Sequence, residues 1–207
     1  MNLLHRLWIW CKRFRHRCGY GVHSPSDFYL ITSVIYERLP YYAYTELRKR
    51  IYPFRLPHYR EKVNRLLFRL VNHFRPNTLL EVGAGNGAAF AYMQAARQRM
   101  KSATLEDRSR EKTLRRMNET LEEMQTIDCL HIGHTPYYKE AFEAALPYVN
   151  GRTCFLIGGI YDSKEKQAWW QEVKANEAVC ITFDLYDIGI VLFDKRRIKQ
   201  HYIVNFL

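Results

Sequence analysis

The sequence predicts an α/β protein with a mostly parallel sheet, antiparallel C-terminal strands and a basic helical N-terminal region. Between residues 78 and 175, short apolar runs alternate with amphipathic helical segments, which is the order of strands joined by helical crossovers. Near the C-terminus, only Tyr186 and Asp187 separate the apolar runs VCITFDL and IGIVLF. A parallel return needs a long crossover, so this pair is predicted to be antiparallel.

Helical signals fill the region before residue 76. Residues 2–17 form a basic amphipathic pattern whose apolar positions recur at helical spacing, namely Leu3, Leu4, Leu7, Trp8 and Cys11. The stretch GYGVHSPSD interrupts the pattern, and Ser24 or Ser26 can cap a helix that runs through FYLITSVIYERL. YYAYTELRKRIY predicts another short helix, and residues 58–74 predict a longer one with an apolar stripe.

The rest of the chain alternates strand and helix. The predicted strands are TLLEV, SATLE, CLHI, CFLIGG, VCITFDL, IGIVLF and the C-terminal KQHYIVNF. The predicted helices are AAFAYMQAARQRM and residues 109–125, 138–146 and 163–175. Strands that alternate with helices in this way predict a sheet covered on both faces.

Charge divides the chain near Arg75–Pro76. The net charge is +11: residues 1–75 carry 15 Lys/Arg against 4 Asp/Glu, whereas residues 76–207 carry 17 of each. We therefore expect a basic helical region, 1–75, and a domain, 76–207. The basic region is interpreted either as a solvated helical face or as a surface for nucleic acid or an anionic membrane surface. Packing of the first helix on a second subunit, which would give a homo-oligomer, is a further alternative.

Composition indicates a folded protein. The 207 residues are 47% hydrophobic and 14% aromatic, which argues against disorder. No run reaches the roughly 18 uncharged apolar residues of a membrane-spanning helix, and the N-terminal stretch lacks the features of a secretory signal. The five cysteines are scattered, without metal-binding spacing. They are expected to be reduced thiols in a cytoplasmic protein.

The most informative motif is LLEVGAGNGAAF, in which a glycine loop follows a strand and opens a helix. Gly83, Gly85 and Gly87 allow backbone torsions and close approaches that a Cβ would obstruct. N–H groups at the helix start can then face a polar ligand. Glu106 closes the next strand, where a carboxylate can accept hydrogen bonds from the ribose of an adenosine moiety. A glycine turn that only packs a helix on a strand is the alternative.

These residues carry a family resemblance. Glu81-x-Gly83-x-Gly85-x-Gly87, followed by Glu106, resembles the cofactor motif of class I S-adenosylmethionine-dependent methyltransferases. More narrowly, GYGVHSPSDFYLIT, LLFRLVNHFRP and DLYDIGIVLF resemble a bacterial methyltransferase-like family, common in Bacteroidetes, whose members carry an HSP motif before the domain.

The resemblance implies a Rossmann-like sheet that binds S-adenosyl-L-methionine. The cofactor-binding residues it implies are Glu81 near the methionine end, Gly83, Ala84, Gly85 and Gly87 around the cofactor, and Glu106 on the ribose.

The chain departs from this family at its acidic positions. Where members have a pattern like IDGNH, CLHI is followed by Gly133 and His134. Where they have paired aspartates in a pattern like FDDIHWS, the chain reads FLIGGIYDS, with Gly158 and Gly159. In related catechol-type methyltransferases such acids bind a divalent metal, which needs oxygen ligands. We therefore expect no metal site and, if methyl transfer occurs, a metal-independent reaction.

The connection between Gln125 and CLHI is shorter than in the family. Members usually fit a strand and a helix there, so one edge strand of the sheet is expected to be lost. This loss would shorten the wall on which the adenine of the cofactor normally packs.

Two histidines are candidate general bases. His131 and His134 flank Gly133 at a strand end where substrates usually bind, and the alternative for each is a structural histidine. One hypothesis is a methyltransferase of unknown acceptor that aligns the sulfonium methyl group by proximity. The other is a non-catalytic methyltransferase-like protein, a pseudoenzyme, that binds an anionic partner through residues 1–75. The intact set of Glu81, the glycines and Glu106 favours the first. The substitutions at Gly133, Gly158 and Gly159 and the shortened sheet favour the second.

Overall fold

The computed structural model describes residues 3–51, 59–83, 85–105 and 109–207. Its α-helices are α1 Leu3–Lys12, α2 Pro25–Tyr29, α3 Tyr42–Ile51, α4 Glu61–Phe74, α5 Ala88–Ala96, α6 Arg110–Met124, α7 Tyr138–Ala145 and α8 Lys164–Ala175. A π-helical segment, Leu30–Ile35, continues α2, and 3-10 turns lie at Phe14–His16 and Leu146–Tyr148.

Seven strands form one mixed sheet. They are β1 Thr78–Val82, β2 Lys101–Leu105, β3 Cys129–Ile132, β4 Cys154–Gly158, β5 Ile181–Asp184, β6 Ile188–Leu192 and β7 Gln200–Ile203. Their order across the sheet is β2-β1-β3-β4-β6-β5-β7. The predicted α/β class with antiparallel C-terminal strands is confirmed, because β6 runs antiparallel to both β4 and β5. The C-terminal strand β7 pairs parallel to β5 at the edge.

The parallel half of the sheet determines where a site can form. β1 pairs in parallel with β2 on one side and with β3 on the other, and β3 pairs in parallel with β4. Their carboxyl ends therefore lie along one edge, where ligands bind in open α/β sheets. β2 is the outer strand on this side, and α6 leads to β3 through a short connection, as the shortened sequence predicts.

Helices cover both faces of the sheet. Alternate residues of a strand point to opposite faces, and Leu79 and Leu80 accordingly belong to different hydrophobic clusters. The cluster around Leu79 contains α4 and the segment that follows α2, and the cluster around Leu80 contains α6, α7 and α8. The apolar stripe of α4 thus packs directly on the sheet, because its buried positions recur at helical spacing.

Local signals explain most helix ends. Ser24 is the N-cap of α2, and its hydroxyl accepts a hydrogen bond from the Asp27 N–H, 3.4 Å away. Ser163 caps α8 in the same way through the Lys166 N–H, at 3.0 Å. α4 ends where Arg75 takes a left-handed conformation before Pro76. These ends agree with the sequence prediction.

Three predicted helices end early, and the one through FYLITSVIYERL stops at Ile35, after a π-helical segment, instead of Leu39. α1 stops at Lys12 instead of residue 17, because the chain tightens into a 3-10 turn and the Arg13 side chain reaches Asp184. α5 stops at Ala96 instead of Met100, because Arg97 is extended with φ −149°. The ends of α1 and α5 depend on a tertiary contact and on a single backbone torsion, which periodicity does not report.

Two further features complete the fold. The five cysteines are free thiols, three of them buried. Within residues 3–51, 59–83, 85–105 and 109–207, the longest apolar helical stretches fall short of what is needed to cross a bilayer.

Candidate functional site

The glycine loop joins β1 to α5 at the carboxyl edge of the sheet. Gly83, Gly85 and Gly87 all have positive φ, at +79°, +58° and +73°. L-residues with a side chain rarely adopt this left-handed conformation, so the loop depends on glycine at these positions. A Cβ on Gly83 would also lie 2.8 Å from the Cβ of Thr135, in the loop after β3. The loop is therefore a tight backbone cradle that opens α5.

Two predicted cofactor-binding residues lie outside the described residues. These are Ala84 within the glycine loop and Glu106 after β2. The predicted contacts of Glu106 with a ribose and of Ala84 with the cofactor therefore stay predictions.

Glu81 is buried beneath the glycine loop. It is the fourth residue of β1, and its side chain is fully excluded from solvent. One carboxylate oxygen, Oε1, lies 2.8 Å from Nδ1 of His131, on the neighbouring strand β3. The other, Oε2, accepts a hydrogen bond from the Thr104 hydroxyl at 3.2 Å. The strand register places this carboxylate and imidazole side by side, since Glu81 pairs with His131 across the ladder.

His131 continues the polar chain to a tyrosine. Its Nε2 lies 3.1 Å from the Tyr59 hydroxyl. Burial raises the pKa of the Tyr59 phenol, and the negative charge of Glu81 raises it further, so the phenol stays protonated. Tyr59 then donates to Nε2 and His131 donates from Nδ1 to Glu81, a tautomer assigned from these partners. The result is a buried Tyr59–His131–Glu81 chain.

His134 has a different environment. It lies at the rim of the cleft, and its Nδ1 is 3.0 Å from a carboxylate oxygen of Asp162. Its ring centroid lies 5.0 Å from that of Tyr59. The structure thus brings both predicted histidines into contact with one tyrosine, with His131 buried and His134 exposed.

The three glycines at the family's acidic positions have close neighbours. A Cβ on Gly158 would lie 1.7 Å from the Tyr59 hydroxyl oxygen. A Cβ on Gly133 would lie 2.2 Å from the Gly83 carbonyl oxygen. Gly159 has a positive φ of +60°, and a Cβ there would lie 1.9 Å from a carboxylate oxygen of Asp162. A side chain at position 158 and the Tyr59 ring therefore exclude each other. Tyr59 occupies the space in front of the end of β4.

The donors near these glycines do not fit a divalent metal. Hard cations need several oxygen ligands, and the polar side chains near these glycines are the Tyr59 phenol, the two imidazoles and the single carboxylate of Asp162, which already bonds to His134. Across the described ranges, no three His, Cys, Asp or Glu side chains come together in a way that could hold a metal ion.

Asn64 on α4 supplies a polar group that sequence reasoning missed. Its side chain is completely buried, and among the residues that the structure describes neither its amide nitrogen nor its amide oxygen has a hydrogen-bond partner. It lines the same cleft as Gly83, His131 and Tyr59. A buried amide without partners is costly, so it is suited to meet a ligand that both donates and accepts.

The cleft is narrow. Its volume is about 10 Å³, roughly the space of one water molecule. A ligand larger than this can enter only if the side chains in front of the glycine loop move apart.

The sequence clearly predicts the glycine loop but gives little indication of the other residues that line the cleft. Left-handed glycines follow from the motif itself. Tyr59 and Asn64 carried no such signal, since a lone tyrosine before a helix and an asparagine on an apolar stripe are common. Their place beside the glycine loop is visible only in the folded structure, where α4 packs on the sheet.

Comparison with solved structures identifies the fold. A putative O-methyltransferase from Klebsiella pneumoniae has a TM-score of 0.56 at 16% identity, over 83% of this chain and 97% of that one. A putative caffeoyl-CoA O-methyltransferase from Staphylococcus aureus has a TM-score of 0.54 at 13% identity, over 81% and 98%. TomG, an O-methyltransferase from Streptomyces achromogenes in complex with SAM, has a TM-score of 0.51 at 15% identity, over 75% and 91%.

Comparisons of sequence gave no further identification. No protein-family model matches the chain, and no curated protein matches it either. At these identities the structural likeness shows the fold alone, which is the Rossmann-like fold of O-methyltransferases. The narrower resemblance carried by the HSP motif stays a prediction.

Proposed function

We propose that this protein binds S-adenosylmethionine at the glycine loop and transfers its methyl group to an acceptor without a metal ion. The observation that carries the proposal is the left-handed glycine cradle between β1 and α5, at the carboxyl edge of a methyltransferase-like sheet. The neighbouring structures with SAM or SAH in their names support the same cofactor. The acceptor is a small molecule, a protein or an RNA.

The residues that would hold the cofactor have distinct tasks. The backbone of the loop Gly83–Gly87 would wrap the cofactor, because only glycine permits its torsions. The Asn64 amide would meet a polar group of the amino-acid moiety. Glu106 would accept from the ribose, as the motif implies. When bound, S-adenosylmethionine supplies an electrophilic methyl group on a sulfonium centre.

The Tyr59–His131–Glu81 chain would remove the acceptor's proton. Tyr59 lines the cleft, so an acceptor hydroxyl there could pass its proton to the phenol oxygen while the phenol passes its own to Nε2 of His131. The resulting imidazolium would be stabilised by the Glu81 carboxylate, 2.8 Å from Nδ1. Such a relay performs the deprotonation for which related enzymes use a metal.

A second function, a non-catalytic methyltransferase-like protein, is favoured by one observation. The cleft in front of the glycine loop has a volume of only about 10 Å³, and Tyr59 fills the space before Gly158. On this view the glycine loop is an inherited turn, and the polar chain stabilises the fold.

Calorimetric titration with S-adenosylmethionine and S-adenosylhomocysteine tests cofactor binding. We expect saturable binding that Gly85→Val abolishes and Glu106→Ala weakens. Gly21→Val is the matched control, because Gly21 also has positive φ, +78°, but no heavy atom lies near its side-chain position. Absence of heat and of a thermal shift at millimolar ligand would overturn the proposal.

Transfer of a labelled methyl group tests chemistry separately from binding. The acceptor panel contains phenols, peptides and RNA. We expect Tyr59→Phe to bind the cofactor like the wild type and to lose transfer, whereas His134→Gln retains it. Binding without transfer to any acceptor would favour the non-catalytic function.

A further inference from the structure

The N-terminal helix α1 is attached to the body through its polar side. Both terminal nitrogens of Arg6 bond to the Asp187 carboxylate, at 2.9 and 2.8 Å. Just beyond the helix, Arg13 bonds to Asp184 at 2.8 Å. The Asn205 amide donates to the Trp10 carbonyl oxygen at 2.9 Å. Ion pairs and hydrogen bonds therefore attach α1 to the body, and Ile9 and Trp10 are half-buried.

The opposite side of α1 is apolar and faces solvent. A surface helix normally buries its apolar stripe, but here none of the α1 residues is buried. Its large apolar residues have high exposed fractions: Leu3 80%, Leu4 72%, Leu7 57% and Trp8 52%. These four side chains, together with Cys11, form one stripe along the helix, which we call the α1 stripe. A contiguous exposed patch of this kind marks an interaction surface.

Two cations border the C-terminal end of the α1 stripe. The Lys12 ammonium lies 3.6 Å from the centre of the Trp8 ring, and Arg15 is exposed on the following turn. No acidic residue occurs before Asp27. Arg6 and Arg13 pair with Asp187 and Asp184 on the inward side, whereas neither Lys12 nor Arg15 forms an ion pair with a carboxylate of the described residues. The stripe is thus an apolar surface bordered by two cations whose charge is available to a partner.

The combination of apolar side chains and positive charge indicates which kind of partner would cover the α1 stripe. A second copy of this chain would bring equal positive charge against the same border, which opposes association. Nucleic acid would pair with the cations, but its phosphates offer nothing to exposed leucines. An anionic lipid surface satisfies both, because phosphates meet the cations and acyl chains receive the leucines and the tryptophan.

We propose that α1 lies in the plane of an anionic lipid membrane surface, with the α1 stripe inserted among the acyl chains. A helix of 10 residues is about 15 Å long, which suits this orientation and is too short to span the bilayer. Lys12 and Arg15 then lie at the level of the headgroup phosphates. The proposal is independent of whether the protein binds S-adenosylmethionine.

Vesicle flotation with the full chain tests the proposal. Vesicles of phosphatidylcholine alone are compared with vesicles that contain phosphatidylglycerol, at low and high salt. We expect flotation with the anionic vesicles that weakens at high salt. Leu7→Gln should weaken binding at least about tenfold without changing the net charge. Lys12→Gln should weaken it about fivefold and reduce the salt dependence.

Ile198→Gln is the matched control, since Ile198 is 82% exposed but lies outside α1. It should float like the wild type. Because these side chains lie outside the core, all three variants should melt at the wild-type temperature. As a second readout, the blue shift of tryptophan emission on vesicles should disappear in Trp8→Phe.

Three outcomes would overturn the proposal. The first is equal flotation with neutral and anionic vesicles, or none with either. The second is a dimer in sedimentation velocity that Leu7→Gln dissociates, which would assign the stripe to a second copy. The third is binding to RNA or DNA that Leu7→Gln abolishes while flotation is unchanged.

Discussion

Glu81 and Asp184 are both buried carboxylates on strands of the same sheet, but they have different partners. Asp184 bonds to the Arg13 guanidinium at 2.8 Å, to the Tyr161 hydroxyl at 2.6 Å and to the Tyr186 N–H at 3.0 Å. Glu81 bonds to the His131 imidazole and to the Thr104 hydroxyl. One carboxylate faces a permanent cation, and the other faces a group that can gain or lose a proton.

This difference separates a region that stabilises the fold, around Asp184, from the region to which we assign the proposed proton relay, around Glu81. Arginine stays charged at every accessible pH, so the Asp184 cluster is a fixed clamp that holds the N-terminal segment on β5. An imidazole can accept a proton at one ring nitrogen and donate from the other, so the Tyr59–His131–Glu81 chain has the arrangement that the proposed proton relay needs. In the Asp184 cluster, the ring of Tyr161 stacks on that of Tyr186. The Glu81–His131 hydrogen-bond chain instead ends at Tyr59, which lines a cleft.

The comparison predicts the largest stability effect at the clamp. Arg13→Ala should lower the free energy of unfolding by about 3–5 kcal/mol, because it leaves the buried Asp184 charge without its cation. Urea unfolding at neutral pH measures the loss. Arg15→Ala, at a nearby exposed position, should change stability by less than about 0.5 kcal/mol. Equal effects of the two variants would contradict the fixed-clamp description.

The next effect is expected in front of β4. Gly158→Ala should destabilise the protein by about 1–3 kcal/mol, because its Cβ and the Tyr59 hydroxyl cannot share the same space. Gly151→Ala is the control, since its Cβ would meet Asp194 at an ordinary 3.7 Å. The thermal unfolding temperatures of the two variants and the wild type measure the difference. A Gly158→Ala protein as stable as the wild type would show that Tyr59 lies elsewhere.

A smaller effect tests the polar chain itself. Tyr59→Phe should cost about 1 kcal/mol, because it removes one hydrogen bond and leaves Nε2 of His131 without its donor. Tyr20→Phe, at an exposed position, should cost nothing measurable by urea unfolding. If Tyr59→Phe lowered the free energy of unfolding more than Arg13→Ala does, the Glu81 chain and not the Asp184 cluster would be the main stabilising region.

The smallest effect at neutral pH is expected at Asp187, on the surface side of the clamp. Arg6→Ala should cost up to about 1 kcal/mol, because the pair is partly exposed and Arg60 also bonds to Asp187. Urea unfolding at pH 7 measures this cost. If Arg6→Ala left the free energy of unfolding unchanged and Arg60→Ala lowered it by this amount, the stabilising ion pair of Asp187 would be the one with Arg60 alone.

The same carboxylate gives a pH dependence. Burial raises the pKa of Asp187, but the hydrogen bonds from Arg6 and Arg60 outweigh it, so that the pKa is lowered overall. A carboxylate with a lowered pKa stabilises the fold above its unfolded pKa of about 3.9, and the contribution is lost as pH falls further. Asp187→Asn should therefore lose less stability than the wild type between pH 5 and pH 3, which urea unfolding measures. A parallel loss in both proteins would contradict this.

Much of the fold could be predicted from local sequence signals. Apolar runs and helical periodicity locate the strands and most helices, Ser24 identifies a cap, and the two-residue connection at Tyr186–Asp187 requires antiparallel strands. The three left-handed glycines of the loop follow from their residue type. Such signals depend on neighbours in the chain, so a single sequence contains them.

The site's interior could not be predicted in this way. Gly158 looked like a lost acid, but its missing side chain makes room for Tyr59, which is almost 100 residues earlier in the sequence. Likewise, a basic amphipathic pattern predicts α1, but the pattern does not state which side turns inward.

The sequence by itself determined the strand and helix order, the glycine loop and the uneven charge. Only the tertiary structure decided that Arg13 meets Asp184, 171 residues away, that Tyr59 and His131 complete a chain to Glu81, and that the apolar side of α1 faces outward. The physical reason is that periodicity and turn chemistry act between near neighbours. Contacts between distant residues depend on how the helices and strands pack.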